Sequence, residues 1–422
     1  MMKTILVAFG ILTGGLALSS DLLTWQACVN ETALGNAELQ SARESLRSSE
    51  FSQISAYSVL LPQVNGSLGY SQSNSSGGSG TADSSGAYSA SLSVTETLFS
   101  GFQDWARIGQ AAANATVSGA NLKTIKAKVS YDLKTGYAGL VYAQESVRLQ
   151  KDIVHRREEN LRLVELRFDG GRENKGSVLL SRAYLSQANL EALQARNDVR
   201  IAQSQLAKVL GRDEESGLSV GEDLPLANPP SESGGEPDMK KIATETPDHL
   251  QVAAQEESAE AGITLARAGF FPTLSLTGSA GKQGTEWFPS GDRWSVGVNL
   301  TLPVFSGGKD YFGTKGATAS YAAASANRQS TDRQLLVKLQ QAYTGFIEAG
   351  EKVKVDDNFV LAAKMRSEIG RNKYNNGLIS FEEWDLIEND LIQRQKTALN
   401  SKRDRVAAEA TWEQAQGKGV IP

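Results

Sequence analysis

The chain has 422 residues, with 43 lysines and arginines against 48 aspartates and glutamates, a net charge of −5. No basic surplus exists to neutralise a phosphate backbone, which excludes nucleic acid as a partner. A single cysteine, Cys28, and two histidines, His155 and His249, exclude a disulfide scaffold and a dedicated zinc site, and no cofactor is expected.

Lys3 followed by the apolar, small-residue stretch 5–18 and the small residues of Ala17-Leu18-Ser19 predict a secretory signal peptide over residues 1–19. Trp25-Gln26-Ala27 is a poor match to a lipid-attachment site, so Cys28 is expected to be a free thiol. A helical segment over 24–58 leads to Pro62, where the hydrophobic period changes to two. Val64, Gly66, Leu68 and Tyr70 alternate with Asn65, Ser67 and Gly69. The same alternation recurs further on, predicting strands at about 62–72, 86–96, 271–281 and 293–303. The clearest case is Trp294, Val296, Val298, Leu300 and Leu302 against Ser295, Gly297, Asn299 and Thr301. Nowhere do 18 apolar residues run together, so a membrane crossing has to be made by strands, and these have the right length. One parity is small and uncharged, as suits a watery lumen, and the other is apolar. Aromatic residues gather at both strand ends: Tyr70, Tyr88, Trp287 and Trp294 at the loops, and Phe99, Phe271 and Phe305 at the opposite ends. They read as the two interfacial girdles of a membrane barrel, which places lipid among the partners. Four strands cannot close a barrel and open edges are not tolerated in lipid, so the chain is expected to oligomerise.

From Asp104 to Phe168 no proline appears, and Val129, Leu133, Gly136, Leu140, Ala143 and Val147 keep a three-or-four spacing. Such a helix is roughly 100 Å long at 1.5 Å per residue. It stops at Asp169-Gly170-Gly171-Arg172, a sequence competent for a left-handed cap, and a helix from Ser177 to Leu210 returns. Residues 213–247 hold five of the ten prolines and read as a connector. A helix over 248–269, two strands and a second long helix from Lys309 to Tyr374 follow. The second tip, Tyr374-Asn375-Asn376-Gly377, precedes a helix from Ser380 to Gln416. Leu98-Phe99-Ser100-Gly101 recurs as Val304-Phe305-Ser306-Gly307, and Phe168-x-x-Gly171 as Tyr374-x-x-Gly377, each at an offset of 206. One unit has been duplicated, giving repeats over 20–212 and 248–422. Gly217-x-Ser219-x-Gly221 has the letters of a nucleophile elbow without the strand-to-helix context, and no enzymatic activity is expected.

With its signal peptide, entry segment Leu23–Ala42, two strand hairpins, LFSG-type exits and glycine-tipped helical hairpins, the sequence resembles the TolC-like outer-membrane efflux proteins. The resemblance implies a mainly α fold with a membrane β-barrel: a homotrimer whose chains each give four strands to a 12-stranded barrel, continued by a periplasmic α-barrel. It implies an outer-membrane exit duct of a tripartite efflux or type I secretion system, with a periplasmic adaptor and an inner-membrane transporter as partners. The adaptor would dock at the two tips. It also implies a periplasmic constriction built from acids after the second tip glycine: Glu383 matches the first family position, Leu386 departs from the second, and Glu382 and Asp385 lie beside them. The same three acids also read as a solvated first turn of a helix, where negative charge suits the helix dipole. An uncoupled diffusion porin and a non-conducting periplasm-spanning tether are the competing readings.

Overall fold

The computed structural model describes residues 22–76, 82–213, 217–221, 224–227 and 237–422, the side chains of 73–76 and 82–85 excepted. The signal peptide expected over 1–19, the tip of the first hairpin loop and part of the 213–247 connector lie outside these. Two compact units divide the chain. One holds residues up to Asn36 with Asp132–Ala227 and Lys352–Val406; the other holds Ala37–Tyr131, Asn228–Glu351 and Ala407–Pro422.

The second of these units carries all four strands: β1 (Gln63–Ser76), β2 (Ala82–Phe99), β3 (Thr273–Gly284) and β4 (Gly291–Thr301). They form one antiparallel sheet in the order β1-β2-β3-β4, so the two hairpins are joined through β2 and β3. The register places Val64, Val94, Gly278 and Val296 in one row, and Asn65, Ser93, Ser279 and Ser295 in the next. A period-two sequence in register therefore gives one apolar and one small-polar face across the whole sheet. On the apolar face Leu68, Val64, Trp294, Val296 and Leu300 remain more than half exposed. On the polar face hydroxyls pair across strands, Ser67 with Ser91 at 2.7 Å and Ser279 with Ser295 at 2.8 Å.

Helices α1 (Trp25–Gly35) and α2 (Ala37–Ala56) replace the single segment expected over 24–58. They part at Asn36, whose extended backbone ends α1 and whose side-chain amide donates to the Val209 carbonyl at 2.9 Å. Cys28 is buried in α1. The long helices are α3 (Gln103–Asp169) and α7 (Lys309–Asn375), each of 67 residues, and the return helices are α4 (Lys175–Leu210) and α8 (Phe381–Ala415). Ahead of β3 lie α5 (Met239–Glu245) and α6 (Pro247–Arg267). The first falls in the stretch read as connector; Asp238 caps it by accepting from the amides of Lys240 and Lys241, and Ala243 is buried against Leu335 and Leu339 of α7. In α3, Val129, Leu133, Tyr137 and Leu140 are all fully buried, a stripe at spacings of four and three. Each large side chain so buried stabilises by about 1.5–3 kcal/mol.

After β2 and again after β4 the chain leaves the sheet through two successive left-handed residues, Gly101 and Phe102 in the first case and Gly307 and Gly308 in the second. Phe102 is the one non-glycine residue with positive φ among those described. Its ring meets Phe99 and Phe271 edge-on at 5.4 and 5.5 Å, which offsets the left-handed backbone. Replacing Phe102 by alanine loses both ring contacts and keeps the strain, at a cost of about 1–3 kcal/mol. Phe102→Gly loses the same contacts and relieves the strain. Thermal unfolding should therefore rank glycine above alanine here, the reverse of the usual order; alanine above glycine contradicts this account.

Candidate functional site

The tips of both helical hairpins lie in the first unit and are built alike. Gly171 has φ 69° and Gly377 φ 72°. Arg172 N–H donates to the Arg167 carbonyl and Gly171 N–H to that of Phe168; Leu378 and Gly377 repeat the pattern to Lys373 and Tyr374, all at 2.8–2.9 Å. This is the six-to-one, five-to-two closure that satisfies the last carbonyls of a helix. Asp169, Gly170, Gly171, Arg172, Asn375, Asn376 and Gly377 are exposed, while Tyr374 is fully buried.

Tyr374 is the centre of the site. Its ring stacks on Trp384 at 4.4 Å and packs with Phe381, Val164 and Val178, so α3, α4, α7 and α8 share one small core. The Arg167 guanidinium lies 4.4 Å from the ring centroid and donates to the Tyr374 carbonyl at 2.6 Å. The phenol donates to Glu173 at 2.7 Å, tying the second hairpin to the first turn after the other tip. Burial, with Glu173 beside it, pushes the Tyr374 phenol up from its ordinary range. Burial also opposes ionisation of Glu173, but hydrogen bonds from Tyr374, the Asn174 amide and Ser177 together hold its carboxyl below the usual range.

Behind the tips lies a second cluster around Glu388, which is 1% exposed. Arg156 donates through Nε at 2.6 Å, Asn160 at 3.2 Å, and the Ser367 hydroxyl donates as well. Arg156 also donates to Ser367 at 2.6 Å, so α3, α7 and α8 are bound through one carboxylate. Burial alone would raise the Glu388 carboxyl; Arg156, Ser367 and Asn160 outweigh it and leave it below the ordinary range. Arg157, on the next turn face, donates to Asn389, stands 3.8 Å from Asp385 and stacks over Tyr184 at 4.6 Å.

The acids grouped after the second tip separate. Ser380 caps α8 by accepting from the Glu383 amide at 3.2 Å, and Glu382 and Glu383 stand exposed in the first turn. Buried Phe381 and Trp384 fix that turn, so both carboxylates face outward from the shared core. Asp385 does not join them: its carboxylate accepts from Asn389 at 2.9 Å and faces Arg157, and burial raises it above its usual range despite the Tyr184 hydrogen bond and Arg157. Leu386 is 69% exposed where the family pattern would place an acid.

At the sheet, Tyr70 and Tyr88 pack at 4.7 Å, and Tyr88 meets Trp287 at 5.5 Å, with Phe288 next in line. Phe99 and Phe271 are bridged by Phe102, which the sequence reading had not singled out. Trp294 and Phe305 are 80% and 88% exposed and belong to no ring cluster among the described residues. The Glu388 cluster was missed as well, although it left a signal. Phe381, Trp384, Glu388 and Leu391 lie at spacings of three, four and three, placing an acid on a core stripe.

A depressed carboxyl contributes stability above its unfolded pKa of roughly 4.3, and the contribution is lost as pH falls through the lower folded value. The tip unit is therefore expected to loosen below about pH 4. Arg156→Ala, which strands a buried carboxylate, should cost about 3 kcal/mol. Hydrogen exchange of the tip helices at pH 7 and pH 3.5 checks both; unchanged protection in the variant contradicts the assignment.

A model of the family described as outer membrane efflux protein matches residues 28–212 and 239–418. The probable outer membrane lipoprotein SilC of Salmonella typhimurium is 23% identical over 305 residues, 69% of this chain and 63% of SilC, so the match spans a little under two thirds of that relative. The outer membrane protein TolC of Escherichia coli (strain K12) is 22% identical over 428 residues, 96% of this chain and 83% of TolC. The fold is that of the outer membrane protein VceC of Vibrio cholerae, with a TM-score of 0.82 at 18% identity over 94% of this chain and 96% of VceC.

Proposed function

The chain belongs to the outer membrane efflux protein family, and from that premise we propose that it is the outer-membrane exit duct of a tripartite efflux or type I secretion system. It is passive in itself and is driven by an inner-membrane transporter through a periplasmic adaptor. The observation that carries this reading is the sheet: one apolar face, one small-polar face and two unpaired edges, β1 and β4. In lipid such a sheet is stable only when closed, and three copies of four strands close with a hydrated bore inside and lipid outside. The helices support the same assembly. Along α7, Val355, Phe359, Met365 and Ile369 are each about half exposed in the single chain, an apolar face suited to packing against a neighbouring copy. We read 20–212 and 248–422 as tandem repeats about a 213–247 connector, with the upper belt at Tyr70, Tyr88, Trp287 and Trp294 and the lower at Phe99, Phe271 and Phe305.

In this reading the two tips form the periplasmic mouth and the adaptor's docking surface. Glu382 and Glu383, exposed on the first turn of α8, supply a negative constriction when three copies meet, favouring cations. Asp385 serves instead as an internal partner of Arg157. The Tyr374–Glu173 hydrogen bond holds one hairpin to the other and so limits how far the mouth opens.

Single-channel recording in a planar bilayer tests this. Glu382→Gln with Glu383→Gln should weaken cation selectivity in a salt gradient without changing conductance by more than about twofold, since neutral amides leave the bore's width alone. Tyr374→Phe with Glu173→Gln should raise the open conductance. Selectivity unmoved by the first pair removes those acids from the pore, and a protein that never conducts overturns the duct.

A further inference from the structure

Along the four strands the small-polar face carries a single charged residue among the described side chains, Arg293. Every other described side chain of that parity is Ser, Thr, Asn, Gln, Gly or Ala; the other described charged side chains of the strands, Glu96, Lys282 and Asp292, fall on the opposite parity. Arg293 sits near the loop end of β4, in the register row Ser67–Ser91–Gly281–Arg293. Its guanidinium donates to the Gln283 side-chain carbonyl, which steers it along the sheet. Beside it is an open cavity of about 390 Å³, to which Ser89, Ser91, Ser279, Gln283 and Ser295 contribute. At its floor Gly281 lets β2 and β3 approach closely: a Cβ there would lie 2.4 Å from the Ala90 carbonyl and 2.8 Å from Ser91. The arrangement offers a permanently charged, fork-shaped donor over a depression rimmed by hydroxyls, with no carboxylate on the same face among the described side chains. This is the chemistry of oxyanion recognition.

We propose that Arg293 is a lumenal oxyanion site near the outer mouth, which in three copies favours solutes bearing carboxylate or phosphate groups as they leave. The proposal rests on the trimeric-duct reading, and it gives the exit the opposite sign to Glu382 and Glu383. A cationic ring in a bore selects as an acidic one does, with the sign reversed.

The test is a reversal potential in a tenfold KCl gradient, together with block of the current by citrate or by inorganic phosphate added on the loop side. Arg293→Gln should raise the cation-to-anion permeability ratio about fivefold and weaken block by both anions about tenfold. Arg293→Lys, which keeps the charge without the fork, should keep the permeability ratio and lose most of the block. Weakened block by citrate alone would restrict the site to carboxylates, and by phosphate alone to phosphates; either upholds it. A conducting trimer whose selectivity and block are the same with Gln as with Arg overturns the site and leaves the duct standing. A protein that is monomeric in detergent or fails to conduct overturns the duct, and the site with it.

Discussion

A backbone N–H or C=O that faces hydrocarbon has no water to bond, and each one left unpaired costs several kcal/mol. β1 runs for 14 residues and β4 for 11, and each has one side without a strand neighbour among the described residues. The apolar face of the same strands is as exposed as their edges, with Leu68 at 88% and Trp294 at 80%. A water-soluble protein would cover both; this chain covers neither. In the proposed trimer those edges are supplied with partners of the same sequence. A sheet that closes only in company needs helices that also meet neighbours, and the half-exposed apolar residues of α7 suit that role.

The tip-bearing unit answers a different demand. Two hairpins that end in exposed glycine turns have little backbone to hold them together, so the work falls to side chains. Tyr374 does it twice, through its ring against Trp384 and Phe381 and through its hydroxyl to Glu173. The Glu388 cluster adds a polar contact that is directional rather than merely adhesive, since a buried carboxylate with three donors tolerates one arrangement of α3, α7 and α8. Hydrogen bonds of this kind break one at a time when helices slide. An apolar core of the same size would resist separation without defining a register.

Much of this was legible in the sequence, because the periods are long and the punctuation is strong. Alternation over ten residues fixed the strands and their faces, and proline-free stretches ending in glycine fixed the helical hairpins to within about two residues. What stayed hidden was set by contacts between distant segments. Asn36 breaks the entry helix because its amide reaches Val209, and nothing within ten residues announces that. Asp385 and Glu383 are two positions apart and look alike in sequence, yet Tyr184 and Arg157, two hundred residues or more away, draw only Asp385 inward. Phe102 occupies a backbone site that its repeat partner fills with Gly308; the duplication exposes the exception, and only the ring contacts explain it. Arg293 was readable as a charge on the polar parity, but the depression beside it is bounded by Ser89, Ser91 and Ser279 of the neighbouring strands, which only the register brings together.

The claim on which the rest depends is that the open sheet closes with two further copies of itself. Native mass spectrometry of the detergent-solubilised protein measures this directly. The account predicts a single species of three chains that survives detergent removal in the gas phase. A monomer or a dimer, leaving β1 or β4 unpaired, would contradict it.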